Sequence, residues 1–136
     1  MRKLYFGAAA LWTVFVTVCC LVSMHNFDSV PVHDGYTDKY VHCTFYFVFT
    51  VLWYMFLKTG TAVNTKKHRL WAFLLAVIYG IFIEGCQQFF THDRSADITD
   101  VAANTTGAAL AVLVLWLLNK RKNNTIPNRQ VRDSFL

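Results

Sequence analysis

The sequence predicts an all-α integral membrane protein, built as a four-helix bundle. The chain has 136 residues, of which 55% are apolar and only 15% are charged, whereas soluble domains average about 25% charged residues. The apolar residues are concentrated in four runs of 18 to 21 residues, and a membrane-spanning helix needs about 20. No alternating pattern typical of a membrane β-barrel is present, so we predict that all four runs are helices.

The first predicted span covers residues 4–24. Arg2 and Lys3 precede it, as basic residues precede the apolar core of a signal peptide. The run is longer than the roughly 7 to 15 apolar residues of such a core, and no A-x-A cleavage site follows it. We therefore predict that this segment is retained as a membrane helix.

The other spans are predicted at residues 40–57, 70–90 and 98–118, followed by a basic tail at 119–136. With a rise of about 1.5 Å per residue, runs of this length extend about 27 to 32 Å, which matches the hydrocarbon thickness of about 30 Å. A chain of this length allows one domain, so we predict that residues 1–136 form a single unit.

The basic residues predict the orientation of the bundle. Eleven of the thirteen Lys and Arg residues lie at the N-terminus, in the second loop or in the tail, and only Lys39 and Arg94 adjoin the other two loops. Excess Lys and Arg marks the cytoplasmic side, so we predict cytoplasmic termini, with loops 25–39 and 91–97 outside. The net charge of +5 then reflects topology and contact with anionic membrane lipids, and we predict no nucleic-acid partner.

Glu84 is an ionisable residue inside the third span, six residues before Phe90. A charged group at the bilayer centre costs about 2.5 to 3.5 kcal/mol even on the most lenient scale, so its presence there needs a reason. Gly80, Gln87 and Gln88 are three or four residues away from Glu84, a spacing that places them along one helix face. We predict that this polar face points into the bundle.

The fourth span begins with a similar pattern. Asp97, Asp100, Asn104, Gly107 and Ala111 recur at intervals of three and four residues, so they share a face that starts polar and becomes small further along. Small residues at this spacing allow a neighbouring helix to approach closely.

The second span opens with Asp38, Lys39 and His42, and its Asp and His lie one helical turn apart. Polar residues of three spans therefore lie at the end that the charge distribution places outside. We predict an outward-facing polar cup, lined by Asp38, Lys39, His42, Glu84, Gln87 or Gln88, Arg94, Asp97, Asp100 and Asn104.

These motifs resemble the signature of VanZ-like membrane proteins. The similarity rests on E-G-C-Q-Q-F-F at Glu84, on R-x-x-D-x-x-D-x-x-x-N-x-x-G beginning at Arg94, and on Asp38-Lys39 followed by His42. His92 and Asp93 stand where that family leads us to expect Pro or Gly. The resemblance implies a small helical protein of the bacterial cytoplasmic (inner) membrane, with some relatives linked to resistance to teicoplanin, a lipoglycopeptide that acts on cell-wall precursors.

The residue types of the cup suggest what it binds. Arg94 and Lys39 are the only fixed cations predicted outside, and guanidinium groups bind phosphate or carboxylate through paired hydrogen bonds. We predict an anionic guest, either a lipid, a lipid-linked envelope precursor or a lipoglycopeptide. Glu84 with Gln87 or Gln88 would orient the guest, and Asp97, Asp100 and Asn104 could hold sugar hydroxyls or a cation. In a structural alternative, Arg94 pairs with Asp97 or Asp100 and only joins a loop to a helix.

Two other functions remain open at this stage. Glu84 and His42 could act as acid and base in a hydrolase or transferase that works on a lipid-linked phosphate or glycan, although no nucleophile motif is present. The second alternative function is that of a proton-coupled transporter, since carboxylates and histidines in membranes often carry protons.

We predict no metal site and no other cofactor. His25, His33, His42 and His92 lie near several Asp residues, and imidazole with carboxylates can hold Zn, Mg or Mn. Their spacing is loose, however, and lacks the H-E-x-x-H pattern of a zinc site on one helix.

Overall fold

The part of the chain that the structure describes folds into four α-helices, each long and apolar enough to cross a membrane. The computed structural model describes residues 1–21, 35–60, 65–90 and 97–133, with the side chains of 35–37, 90 and 123–133 left out of the description. The helices are α1 (Arg2–Leu21), α2 (Gly35–Gly60), α3 (Thr65–Phe90) and α4 (Ile98–Asp133). Within these ranges there is no β-strand, so the predicted all-α class is confirmed.

The helices extend beyond most of the predicted spans. Helices α2 and α3 each begin five residues before the predicted spans 40–57 and 70–90, and α4 continues through most of the predicted tail to Asp133. The reason is that apolar runs mark only the part of a helix that lies in hydrocarbon, while backbone hydrogen bonding continues into polar flanking turns. Residues 22–24 of the first predicted span lie outside the described residues.

Side-chain contacts show that consecutive helices run antiparallel. Phe6 of α1 contacts Phe56 near the end of α2, whereas Trp12, further along α1, donates a hydrogen bond to the backbone carbonyl of Phe45 near the start of α2. In contrast, α2 and α4 run in the same direction, because His42 contacts Asn104 and Tyr54 contacts Asn119. The starts of α2 and α4 therefore lie together with the ends of α1 and α3, and we call this end of the bundle the polar end.

Helices α2 and α3 separate α1 from α4, and the most extensive contact joins α2 to α4. That contact is close because Gly107 has no side chain. A Cβ atom there would overlap the carbonyl oxygen of Cys43 and lie 2.8 Å from its carbonyl carbon. The row of small residues that begins at Gly107 thus brings the two polar helix starts together.

Aromatic side chains fill the centre of the bundle. The rings of Phe49 and Tyr79 stack with centroids 5.0 Å apart, and Tyr46 is fully buried beside them. The outer surface is also apolar, as Ile78 and Phe82 of α3 illustrate with exposed fractions of 65% and 63%. Large apolar side chains on both the inside and the outside are typical of a helix bundle whose solvent is lipid.

Candidate binding site at the polar end

Asp38, His42 and Asp100 form a compact cluster where α2 meets α4. One ligand atom from each residue lies within 4.8 Å of those of the other two. His42 Nε2 is 3.8 Å from Asp38 Oδ1, and His42 Nδ1 is 3.1 Å from Asn104 Oδ1. His42, Asp100 and Asn104 are all buried, while the Asp38 side chain is partly exposed. The cluster is therefore open to its surroundings on the Asp38 side.

Local helix geometry places these side chains. Asp38 and His42 are one turn apart on α2, and Asp100 and Asn104 are one turn apart on α4, so each pair shares a helix face. Helices α2 and α4 run in the same direction and touch closely at Gly107. The two faces are consequently opposed at the same height, which no spacing along the chain could show.

The rim of the site is formed by Lys39 and Asp97. Lys39 Nζ lies 3.9 Å from Asp97 Oδ2, and both side chains are partly exposed. Asp97 also caps α4, because it accepts hydrogen bonds from the backbone N–H of Thr99 at 2.8 Å and from the Thr99 hydroxyl at 2.6 Å. Such a cap satisfies N–H groups that have no partner within the helix. Asp97 thus has a structural role in addition to any contact with a guest.

Helix α3 contributes Glu84 and Gln87 to the interior, since both side chains are buried. Gln87 Nε2 donates a 2.7 Å hydrogen bond to the backbone carbonyl of Cys20 and so ties α3 to the end of α1. Gln88, the other candidate, is exposed. Of the two glutamines that the sequence left open, Gln87 is the one that points into the bundle.

The two residues considered as acid and base are not in direct contact. His42 makes no hydrogen bond or ion pair with Glu84 in the described part of the chain, because its contacts go to Asn104 and Asp38. Arg94 lies outside the described residues, as do His25, His33 and His92. The structure therefore describes nine of the predicted cup residues: Asp38, Lys39, His42, Glu84, Gln87, Gln88, Asp97, Asp100 and Asn104.

Sequence reasoning missed the tyrosines that lie below the cup. Tyr46 is fully buried, and its hydroxyl has no hydrogen-bond partner among the described residues. The hydroxyls of Tyr79 and Thr17 lie 2.6 Å apart and join α3 to α1. Because Tyr and Thr score as nearly neutral within an apolar run, hydropathy alone did not single them out. Only their depth in the bundle shows that polar groups continue inward from the cup.

Gly80 allows the approach between Tyr46 and Asn104. A Cβ atom at Gly80 would lie 3.2 Å from Tyr46 Cε1 and 3.4 Å from Asn104 Nδ2. The glycine that begins the polar face of α3 therefore makes room for polar side chains of α2 and α4.

Charge is distributed unequally along the bundle. The acidic side chains that the structure describes are Asp38, Glu84, Asp97 and Asp100, and all belong to the polar half. The opposite end carries the basic residues of α3 and α4, including Lys66, Lys67 and Arg121. The arrangement at the polar end offers carboxylate, amide and imidazole groups that can hold hydroxyls or a cation, with Lys39 at the rim for an anion.

Comparison with known proteins identifies the family. No curated protein and no solved structure matches the chain significantly. The sequence profile of the VanZ/LLP1 family matches residues 8–119, which include every described residue of the cup. The resemblance found in the motifs is thereby confirmed, and the chain belongs to the VanZ/LLP1 family.

Proposed function

We propose that the polar end faces the outside of a bacterial cytoplasmic membrane and that its cup binds the anionic head group of a lipid or of a lipid-linked envelope precursor. The observation that carries this proposal is the convergence of buried polar side chains from α2, α3 and α4 at one end of a bundle whose outer surface carries many large apolar side chains. A cup of this kind at the edge of the hydrocarbon lies at the depth of lipid head groups.

The cations provide the anion contact. Within the described residues, Lys39 forms a 3.9 Å ion pair with Asp97 at the rim, and exposed pairs of this kind are worth at most about 1 kcal/mol. Lys39 can therefore exchange Asp97 for a phosphate or carboxylate of the guest at little cost. Arg94 precedes Asp97 by three residues in the chain, and its guanidinium would add bidentate recognition.

The apolar part of the guest has a surface to lie on. Phe89 near the end of α3 and Ile98 at the start of α4 are exposed next to the polar end. Acyl or polyprenyl chains packed against these side chains would leave the head group at the cup. This combination favours a lipid-linked guest over a free soluble anion.

Native mass spectrometry of the protein released from detergent tests the proposal. We expect the wild-type chain to retain an anionic lipid, and Arg94→Ala and Lys39→Ala each to lose at least about 90% of it, because a charge-assisted contact contributes about 1.5 to 3 kcal/mol. Lys67→Ala is the matched control, since Lys67 is an exposed cation at the opposite end. Equal retention by the wild type and both cup variants would contradict the proposal.

Teicoplanin provides a second arm of the same experiment. A lipoglycopeptide offers a carboxylate and an acyl chain, so it satisfies the same chemistry as an anionic lipid. If the cup recognises the antibiotic itself, teicoplanin added to protein in zwitterionic nanodiscs will bind and Arg94→Ala will prevent it. Retention of a cellular lipid without teicoplanin binding would assign the cup to envelope lipids.

The enzymatic alternative has less support from the geometry. Glu84 and His42 share no hydrogen bond among the described residues, and His42 is oriented by Asn104 instead. We therefore argue for binding, and expect no turnover of lipid-linked substrates by the purified chain. Turnover that is lost in Glu84→Gln would replace binding with catalysis.

A further inference from the structure

We propose that Asp38, His42 and Asp100 form a binding site for a divalent transition-metal ion of the Zn²⁺ or Mn²⁺ class. Their ligand atoms lie within 4.8 Å of one another. Neighbouring ligands at about 2.1 Å from such an ion are about 3.0 to 3.4 Å apart in octahedral or tetrahedral geometry. His42 Nε2 and Asp38 Oδ1 are 3.8 Å apart, so small side-chain rotations of the two Asp residues would close the cluster around an ion.

The orientation of His42 provides an independent reason for a cation. The Oδ1 atom of Asn104 can only accept a hydrogen bond, so Nδ1 of His42 donates to it. In the neutral form of the ring, Nε2 then carries a lone pair that can bind a metal ion. His42 is only 3% exposed, and its Nε2 lies 3.8 Å from Asp38 Oδ1, which is too far for a hydrogen bond. A cation between the imidazole nitrogen and the carboxylate would bridge this distance.

The contact with Asn104 also matches what metal-bound histidines require. A ligating imidazole usually donates its second N–H to a carbonyl or carboxylate, which fixes the ring and its tautomer. Asn104 provides such an acceptor from α4 and is itself buried. The ring is therefore held in the orientation that a metal ligand needs before any ion arrives.

The two carboxylates favour a cation at this position. Asp38 and Asp100 each bring an oxygen atom to the cluster, and Asp100 is only 4% exposed. Because the attraction grows with the charge of the ion, these oxygens favour a divalent ion over a monovalent one.

The donor set indicates the class of ion. One imidazole nitrogen and two carboxylate oxygens suit Zn²⁺ or Mn²⁺, whereas Ca²⁺ and Mg²⁺ prefer oxygen ligands throughout. Three protein ligands leave coordination positions for water or for an oxygen of another molecule. The partly exposed Asp38 is on the side from which such a molecule would approach.

An ion at this position would also affect the proposed guest. A head-group phosphate could bind directly to the metal, which would place an anion beside carboxylates that otherwise repel it. This last step rests on the proposed function, while the metal site itself depends only on the three ligands and on Asn104.

Manganese binding to the full-length chain tests the site. The protein is purified through a tag without histidines, stripped with a chelator and placed in nanodiscs of phosphatidylcholine, which contain no anionic lipid. Titration with Mn²⁺, followed by electron paramagnetic resonance, is expected to show one saturable site per chain. Zn²⁺ should displace the Mn²⁺, and Mg²⁺ at the same concentration should not. Pulsed spectra should show coupling to a ¹⁴N nucleus of the imidazole.

The variants form a matched pair on one helix. Asp100→Asn is expected to weaken Mn²⁺ binding at least about tenfold, since changes outside the first ligand set already cost 10- to 100-fold. Thr106→Ala should leave it unchanged, because Thr106 is exposed on the same helix and its hydroxyl donates to the backbone carbonyl of Ala102. Binding that is absent in the wild type, retained in Asp100→Asn or lost equally in both variants would overturn the site.

The ¹⁴N coupling keeps the proposal testable if Asp100→Asn does not fold, because it is measured on the wild type. Saturable Mn²⁺ binding without this coupling would also overturn the site. The nanodiscs contain no anionic guest, so metal binding and lipid retention are measured separately. Metal bound without lipid retention would reject only the proposed function, and lipid retained without metal would reject only this site.

Discussion

His42 Nδ1 and Asn104 Oδ1 lie 3.1 Å apart across the contact between α2 and α4. Both side chains are buried, at 3% and 1% exposed, so water does not compete with this hydrogen bond. The bond links the two helices that form most of the cup and sets which ring nitrogen of His42 faces the carboxylates. The ring nitrogen that His42 presents to a ligand at the polar end therefore depends on this hydrogen bond.

The protonation state of the His42 ring provides a direct test of that contact. In the metal-free protein, ¹⁵N NMR of labelled histidine should show that the neutral His42 ring carries its proton on Nδ1 and not on Nε2. Asn104→Leu removes the acceptor, and we expect this preference to disappear. His68 is buried but belongs to the opposite end of α3, so its signals should not change. An unchanged His42 tautomer in Asn104→Leu would show that Asn104 does not orient the ring.

Gly107 is predicted to be essential for the spacing of α2 and α4. Gly107→Ala would place a Cβ atom 3.0 Å from the Cα of Cys43 and closer still to its carbonyl group. These are backbone atoms, so the helices themselves must separate, and we expect the free energy of unfolding to fall by about 1 to 3 kcal/mol. Thermal unfolding in detergent, followed by circular dichroism, measures the change.

Gly85→Ala is the matched control for Gly107→Ala. Gly85 is also inside a helix, but a Cβ atom there would meet nothing within 4 Å. The substitution should therefore stabilise the protein by up to about 1 kcal/mol through helix propensity alone. Equal effects of the two substitutions would show that close packing at Gly107 does not matter.

Gln87 and Gln88 are predicted to differ in their effect on stability although they are adjacent. Gln87→Leu removes the 2.7 Å hydrogen bond to the Cys20 carbonyl, and such bonds in membrane proteins are worth about 0.6 to 1.7 kcal/mol. We expect a loss of about 1 kcal/mol in equilibrium unfolding. Gln88 is exposed, so Gln88→Leu should be neutral or slightly stabilising in lipid. The reverse order of stability would assign the interior position to Gln88.

The orientation of the bundle can be tested by thiol labelling. In a background without the native cysteines, Thr99→Cys places a thiol on an exposed turn at the polar end, and Lys67→Cys places one at the opposite end. A membrane-impermeant maleimide added to intact cells should label only Thr99→Cys. Labelling of Lys67→Cys alone would place the polar end in the cytoplasm and contradict an outward-facing cup.

The existence and order of the helices could be predicted because hydropathy accumulates residue by residue. Each predicted run from 40–57 to 98–118 lies within a helix of the structure, since about 20 apolar residues are sufficient to specify a span. The ends could not be predicted as well. Helix α4 continues to Asp133 because backbone hydrogen bonds do not require apolar side chains.

The candidate site could be predicted only in part. Periodicity correctly grouped Asp100 with Asn104 and Glu84 with Gln87, because residues one turn apart share a helix face. The same periodicity placed Asp97 on the face of Asp100 and Asn104, but it did not indicate that Asp97 caps α4. The cap became visible only in the structure, because the exact start of a helix is not specified by periodicity.

Local pattern and composition were sufficient to establish that this chain is a four-helix member of its family with polar residues near one end, since each of those properties belongs to a segment by itself. The pairing of His42 with Asn104 and the choice of Gln87 over Gln88 required the folded bundle. Residues 62 positions apart in the chain, as His42 and Asn104 are, meet only when two helices adopt one relative height and rotation. That geometry is set by how all four helices pack together. Gly107 contributes to it because the absence of a side chain lets α2 and α4 approach closely.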